Sequence, residues 1–283
     1  MTSANTAEAG SPLSIHEDFS AVSEMFGADI EDVHALYRDF RENQPVMEGD
    51  MLARFNVPSQ ADYSNLGRRV VTLFRYKDVL AVLRDPKTFT SGLLNEGLGQ
   101  FLGGFLLTGM EDEKHAAIRN LLAPAFSPRV ILGWKKLLDP VAREAIAKIA
   151  AQGKGDLVAD LLLPLPVRMI YEIMGYPRDE QMMNDFAAKA MKILVGPQRD
   201  PEKARLSMES AFKAAQELYD DTLAVVRERR AQGSVGEDLI GYLLRARDSE
   251  GHALDDAKVT ELIRQFLPAA AETTTRSFGS MLV

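Results

Sequence analysis

From residue 113 onward, apolar side chains recur three and four positions apart in segment after segment, a period that a chain satisfies only by coiling into helices. The segments cover residues 113–123, 131–151, 157–163, 167–174, 180–194, 201–231 and 237–247, and then run from 255 onward. Loop signals separate them at Ser127-Pro128, residues 153–155, Gly175-Tyr176-Pro177, Gly196-Pro197, residues 233–236 and Glu250-Gly251. An earlier amphipathic helix is expected over residues 31–42, where Val33, Leu36, Tyr37 and Phe40 share a face. The one sheet signal lies between residues 45 and 74. Met51, Phe55 and Val57, and then Val70-Val71-Thr72-Leu73-Phe74, are strand-like, with turns at Gly49-Asp50 and residues 65–67. Helical spacing resumes over residues 77–84 and stops at Asp85-Pro86, because the residue before a proline resists helical geometry. With no fixed-period repeat and no linker, the expected fold is mainly α with a small N-terminal β-sheet. It forms one domain over residues 15–283 behind a disordered stretch at residues 1–14.

Composition narrows the function classes. A chain of 283 residues, 46% of them hydrophobic and 26% charged, can bury a sizeable core without staples. The net charge of −8 argues against a nucleic-acid grip. There is no cysteine, so these residues offer no disulfide, no thiolate nucleophile and no thiolate metal ligand. The start of the chain is small and polar, unlike a signal peptide or an anchor, and no apolar run approaches the ~18 residues of a membrane span. A cytoplasmic protein with no membrane anchor is expected. Residues 92–109 form the longest irregular apolar stretch, of the kind that lines ligand cavities. Its Gly97, Gly99, Gly103 and Gly104 do not have the spacing of a dinucleotide fingerprint.

Two constellations carry chemistry. Ala269-Ala270-Ala271-Glu272-Thr273-Thr274-Thr275 places an acid and hydroxyls inside an apolar helical pattern of Leu262, Ile263, Phe266 and Leu267 before and Phe278 and Leu282 after. A polar group there is costly unless it works or is paired. The Thr273 hydroxyl can return to the Ala269 carbonyl, and Pro268 has no N–H for the Arg264 carbonyl, so a bend or widened turn is expected. The small side chains leave room for a flat ligand, and Glu272 with Thr273 can pass protons through water. In the second constellation, His115 and Arg119 stand one helical turn apart and together suit an anionic group. The residues alone leave both readings open, since an exposed acid with packed threonines and a solvated His/Arg pair would give the same pattern.

Together, in this order, these stretches resemble the cytochrome P450 family. The central helix of that family carries small-Gly-x-acid-Thr-Thr, matched here by Ala269 through Thr274 with Ala270 in place of glycine. The family's His-x-x-x-Arg is matched by His115 and Arg119, followed by Leu121, Leu122 and Phe126-Ser127-Pro128-Arg129. Supporting stretches are residues 71–79 with Asp85-Pro86 and residues 87–91, Asp156-Leu157-Val158 leading to Pro164-Leu165-Pro166, and Glu237-Asp238-Leu239-Ile240.

The resemblance implies a P450 fold, incomplete at the C-terminus and ending within the central helix. It implies heme b as cofactor, with its cysteine thiolate ligand in the missing C-terminal part and no metal ligand among these residues. His115 and Arg119 would bond the heme propionates, Ala269 and Ala270 would lie over the macrocycle, and Glu272 and Thr273 would deliver protons to oxygen at the iron. The activity implied is insertion of one oxygen atom from O2 into a hydrophobic small molecule. The loop at residues 92–109 and the connection around residues 194–201 would form the pocket and its lid. Electrons would come from a ferredoxin-type or other redox partner, with a docking face around Arg119, Arg129, Lys135 and Lys136. This fragment alone, without the cysteine, is expected to be inactive. The alternative from another class is a non-catalytic helical module that binds an apolar ligand or a partner protein in the groove left open. A hydrolase built on His115 and Glu272 lacks any serine nucleophile motif.

Overall fold

The computed structural model of the protein describes residues 30–57, 59, 67–194, 200–233 and 236–282, and helix predominates among them. The Asp32 carboxylate accepts the amides of His34 and Ala35 at 2.9 Å each and so starts helix α1, Val33–Asn43. Strand β1, Val46–Glu48, pairs antiparallel with β2, Val71–Leu73, in the register Met47↔Thr72. Phe40, Met47 and Met51 are buried as a small separate core beside this strand pair, where the Phe74 ring stacks on Phe40 at 4.4 Å.

The sheet is where the sequence reading needs correction. Met51 and the residues after it are not strand: α2, Met51–Arg54, is a single helical turn, and the partner of β2 is Val46–Glu48. Local capping explains the difference. The Asp50 carboxylate accepts the Leu52 amide at 2.8 Å. The Thr72 hydroxyl accepts the Met51 amide at 3.2 Å while donating to the Gly49 carbonyl at 2.9 Å. Backbone groups satisfied in this way outweigh a weak apolar alternation.

Helix α3, Tyr76–Arg84, ends before Pro86 as expected. The apolar stretch at residues 92–109 is more ordered than its composition suggests. It contains α4, Leu93–Glu96, and the 3-10 turns Leu98–Leu102 and Leu107–Gly109. The Asn95 amide donates to the Gly109 carbonyl at 2.6 Å and closes the loop, while the Glu111 carboxylate takes the amides of Ser91 and Gly92.

The main body follows as α5, Asp112–Leu122; α6, Pro128–Gln152; a π-helical turn, Val158–Leu162; α7, Pro164–Met174; and α8, Glu180–Leu194. It continues with α9, Pro201–Ala231; α10, Leu239–Arg245; α11, Asp256–Arg264; and α12, Phe266–Leu282. Asp200, Asp238 and Asp255 cap α9, α10 and α11 through their side chains. The single long helix expected from residue 255 is interrupted at Gln265, close to the bend expected from Pro268, which has no N–H to offer the Arg264 carbonyl. The expectations for residues 1–14, for the Gly196-Pro197 turn and for most of the connection after residue 194 lie outside the described residues.

Helix α9 packs against α8 and α11, and α12 lies along α7. Tyr171, Met174, Phe186, Leu218, Ile240, Leu243 and Leu262 form the centre of the main core. Each fully buried aliphatic side chain there contributes ~1.5–3 kcal/mol. One polar pair sits inside it: the Tyr176 and Thr222 hydroxyls meet at 2.6 Å, and Thr222 also donates to the Leu218 carbonyl at 2.7 Å.

Candidate functional site

The geometry of α12 sorts its residues onto two faces. Thr275 is buried, and its hydroxyl donates to the Leu162 carbonyl of the π-helical turn at 2.9 Å. Four residues on, a Cβ at Gly279 would stand 3.7 Å from the Leu162 side chain, so this edge of the helix is pressed against that turn. Ala269, Thr273 and Ser277 follow one another at four-residue intervals on the opposite, exposed side, with Ala270 half-buried beside them.

The expected back-bond is present. The Thr273 hydroxyl donates to the Ala269 carbonyl at 2.7 Å, which commits its hydrogen to the backbone and leaves its oxygen lone pairs toward the open side. Glu272 does not share that open face. Its side chain is 19% exposed and accepts from Arg276, one turn later, at 2.8 Å. The acid and the hydroxyl are therefore neighbours in sequence but turned about a third of a helical turn apart, and the acid is already partnered. The partner was legible as a Glu-to-Arg spacing of four, although the sequence reading did not single it out.

His115 and Arg119 lie on α5. Asp112 and Glu113 occupy its first turn and Arg119 its last, each favourably placed against the helix dipole. The Tyr242 hydroxyl donates to the Leu121 carbonyl at 2.8 Å and ties the end of α5 to α10. His115 is half-buried and Arg119 is exposed, and neither has an ion-pair partner among the described residues.

Arg119 and α12 meet at a cavity of about 340 Å3, lined by Leu107, Arg119, Leu122, Ala123, Phe126 and Phe266. This lies at the small end of the ~300–1,000 Å3 range of small-molecule sites. Phe126 and Phe266 touch with ring centroids 5.3 Å apart, and the Leu107 amide donates to the Gln265 side chain at 3.1 Å, so α5, the 98–109 loop and the start of α12 are joined around it. Phe266 carries the cavity onto the exposed side of α12, one turn before Ala269. The structure thus brings Arg119 to the first turn of α12, exposes Ala269 and Thr273 further along that helix, leaves His115 a turn away along α5, and turns Glu272 toward the packed side.

The arrangement fits a flat apolar group bearing carboxylates. The walls are aliphatic and aromatic, and the one cation at the rim, Arg119, presents a guanidinium fork that no carboxylate of the described residues occupies. A metal ligand set is a different matter. Among the described residues no group of three or more His, Cys, Asp or Glu side chains could hold a metal, and the sequence has no cysteine. No described helix is long and apolar enough to cross a membrane. A larger cavity of about 630 Å3 lies apart from this site, between the start of α6 and the end of α7, with Trp134, Tyr176, Glu172 and Arg178 in its walls.

Known proteins resemble the chain as a whole. No protein-family model matches the chain. The cyclomarin C epoxidase CymV of Salinispora arenicola is 30% identical over 256 residues, covering 89% of this chain and 59% of that protein. The erythromycin C-12 hydroxylase of Saccharopolyspora erythraea is 32% identical over 213 residues, covering 74% of this chain and 51% of that protein. The ligand-free structure of cytochrome P450 TbtJ1 superposes with a TM-score of 0.69 at 26% identity over 88% of this chain and 58% of that one. Substrate-free CYP109E1 of Bacillus megaterium gives 0.64 at 25% identity, over 85% of this chain and 58% of that one. The chain spans little more than half the length of these relatives. Likeness in sequence and in fold over most of these residues, together with the helix that sets Thr273 beside small residues, leads to one assignment: the chain belongs to the cytochrome P450 family.

Proposed function

We propose that this chain forms the oxygen-side half of a heme-thiolate monooxygenase that inserts one atom of O2 into a hydrophobic small molecule. The observation that carries the reading is the apolar cavity at which Arg119 meets Phe266, the first residue of the helix that exposes Ala269 and Thr273 one and two turns further on. When bound, heme b supplies the oxygen activation and its cysteine thiolate the electron push.

The chain's own residues do the rest. Arg119 offers two parallel N–H groups to a propionate, with His115 as a second donor one turn earlier. Ala269 and Ala270 keep the helix surface low where a flat ring must approach. Thr273 can accept a hydrogen bond from a water at its free lone pairs while its own hydrogen stays on the Ala269 carbonyl. Glu272 is held by Arg276, and release from that ion pair would free its carboxylate to join a proton relay. Electrons would arrive from a ferredoxin-type or other redox partner. Of the candidate docking cations, Arg119 is committed to the propionate, Lys135 is already paired with Asp139 at 2.5 Å and Arg129 edges the larger cavity, which leaves Lys136 as the more available charge. A cytoplasmic location accords with this chemistry.

The test is the carbon monoxide difference spectrum of the dithionite-reduced protein expressed from its complete reading frame. A thiolate-type Soret band is expected. The 283-residue chain by itself, having no cysteine, should give none. Absence of the band from the complete product would overturn the monooxygenase reading. It would favour the second reading, a non-catalytic helical module that binds an apolar ligand or partner, which the lack of cysteine supports.

A further inference from the structure

Arg264, the last residue of α11, is 7% exposed. Its guanidinium makes no hydrogen bond or ion pair among the described residues, and its Nε is enclosed without an acceptor. Glu261, one turn earlier, is taken by Lys258 at 3.4 Å. The Glu261 charge still favours the guanidinium from a distance, but the groups packed on Arg264 are aromatic and backbone. Its Cζ lies 4.9 Å from the centre of the Tyr219 ring on α9. On another side stands Gly103, left-handed at φ 65°, where a Cβ would come within 2.9 Å of Nη2. The absence of that Cβ lets the 98–105 loop close over the cation. Burial holds the guanidinium pKa below its ordinary value, yet arginine titrates so high that the group stays charged at neutral pH. A buried cation that cannot discharge and has no hydrogen-bonded counter-charge is a site that gains from an anion.

The surface leading away from it is apolar. Met208, Phe212 and Tyr219 lie along one stripe of α9, and Met208 and Phe212 are exposed. The Phe101 ring of the covering loop meets Phe212 at 4.6 Å. We propose that Arg264 is the head-group site for an amphiphilic carboxylate, whose acid takes the guanidinium fork and whose apolar body lies along Phe101, Phe212 and Met208. Entry takes a swing of the 98–105 loop about Gly103 and Gly104, two successive left-handed glycines. The proposal rests on the oxygen-insertion reading only for what happens to the ligand after binding. It narrows the hydrophobic substrate class to acids.

The experiment compares calorimetric dissociation constants for octanoate and octan-1-ol, which differ in the head group alone. The protein should bind octanoate about tenfold or more tighter than the alcohol, and Arg264→Gln should bring the ratio close to one while Arg264→Lys keeps part of it. Equal affinities in the unsubstituted protein, or a preference that survives Arg264→Gln, would overturn the site. Phe212→Ala, on the exposed stripe, should weaken both ligands and leave their ratio unchanged; unaltered affinities there would also count against it. None of these measurements needs heme. Lost carboxylate preference with an intact thiolate spectrum refutes this site alone, and a missing spectrum with intact preference refutes only the catalytic reading.

Discussion

The Thr275 hydroxyl donates to the carbonyl of Leu162, 113 positions earlier in the chain, at 2.9 Å inside the core. It ties α12, which carries the candidate catalytic residues, to the one π-helical turn of the described chain. A π turn leaves carbonyls out of the ordinary helical ladder, and a buried carbonyl without a donor is costly.

Thr275→Val keeps the shape and removes the donor, so the Leu162 carbonyl loses this partner. The expected loss is ~1–3 kcal/mol of unfolding free energy, read from urea melts, with Thr275→Ser keeping most of it. A valine form within ~0.5 kcal/mol of the parent, the usual range of a neutral surface change, would show that the tie is unimportant.

Thr273 makes a contrasting case on the opposite face. It is exposed, so Thr273→Ala should shift stability by no more than ~0.5 kcal/mol. In the complete heme enzyme the same change should separate electron consumption from product formation, with more reduced oxygen released per turnover. Coupling that stays at the parent value would remove Thr273 from proton delivery.

Arg119→Gln tests the rim of the smaller cavity. The side chain is exposed and has no ion pair among the described residues, so the fold should be unaffected. Heme retention through gel filtration should fall at least several-fold in the complete enzyme, because a charge-assisted bidentate contact is replaced by a neutral one. Full retention would mean that the propionates are held elsewhere.

The pair of Tyr176 and Thr222 predicts an alkaline limb. Burial raises the Tyr176 phenol well above its ordinary value, opposed by the bond to Thr222 and assisted by Tyr171 and Asp221. The folded state therefore keeps its proton where the unfolded chain has lost it. The stabilisation is complete below the unfolded tyrosine value of ~10 and is lost progressively as pH rises above it. Tyr171, also raised chiefly by burial, acts in the same direction. Tyr176→Phe should cost ~1 kcal/mol near neutrality, since Thr222 keeps its bond to Leu218, and should flatten the decline of the urea midpoint above about pH 10. A decline as steep as the parent's would assign the alkaline limb to other groups.

The sequence by itself determined the helical segments, because each rests on a period repeated over two or more turns, and capping residues such as Asp200 and Asp255 mark where α9 and α11 start. It also determined the Thr273 back-bond, a contact within a single turn of one helix, and the family, through motifs whose order is a property of the chain alone. Only the tertiary structure decided which short segment pairs with Val71–Leu73, because a three-residue strand has too little pattern to fix its partner. It also decided that Glu272 turns away from Thr273 toward Arg276, and that Arg264 is buried under Gly103 without a hydrogen-bonded carboxylate among the described residues. The charged position in Leu262-Ile263-Arg264-Gln265-Phe266 was visible as a break in an apolar run, but its meaning depends on α9 and on a loop some 160 residues distant. Periodicity records what one helix needs. Burial of a charge is set by what the other elements place around it, and that information is spread across the whole chain.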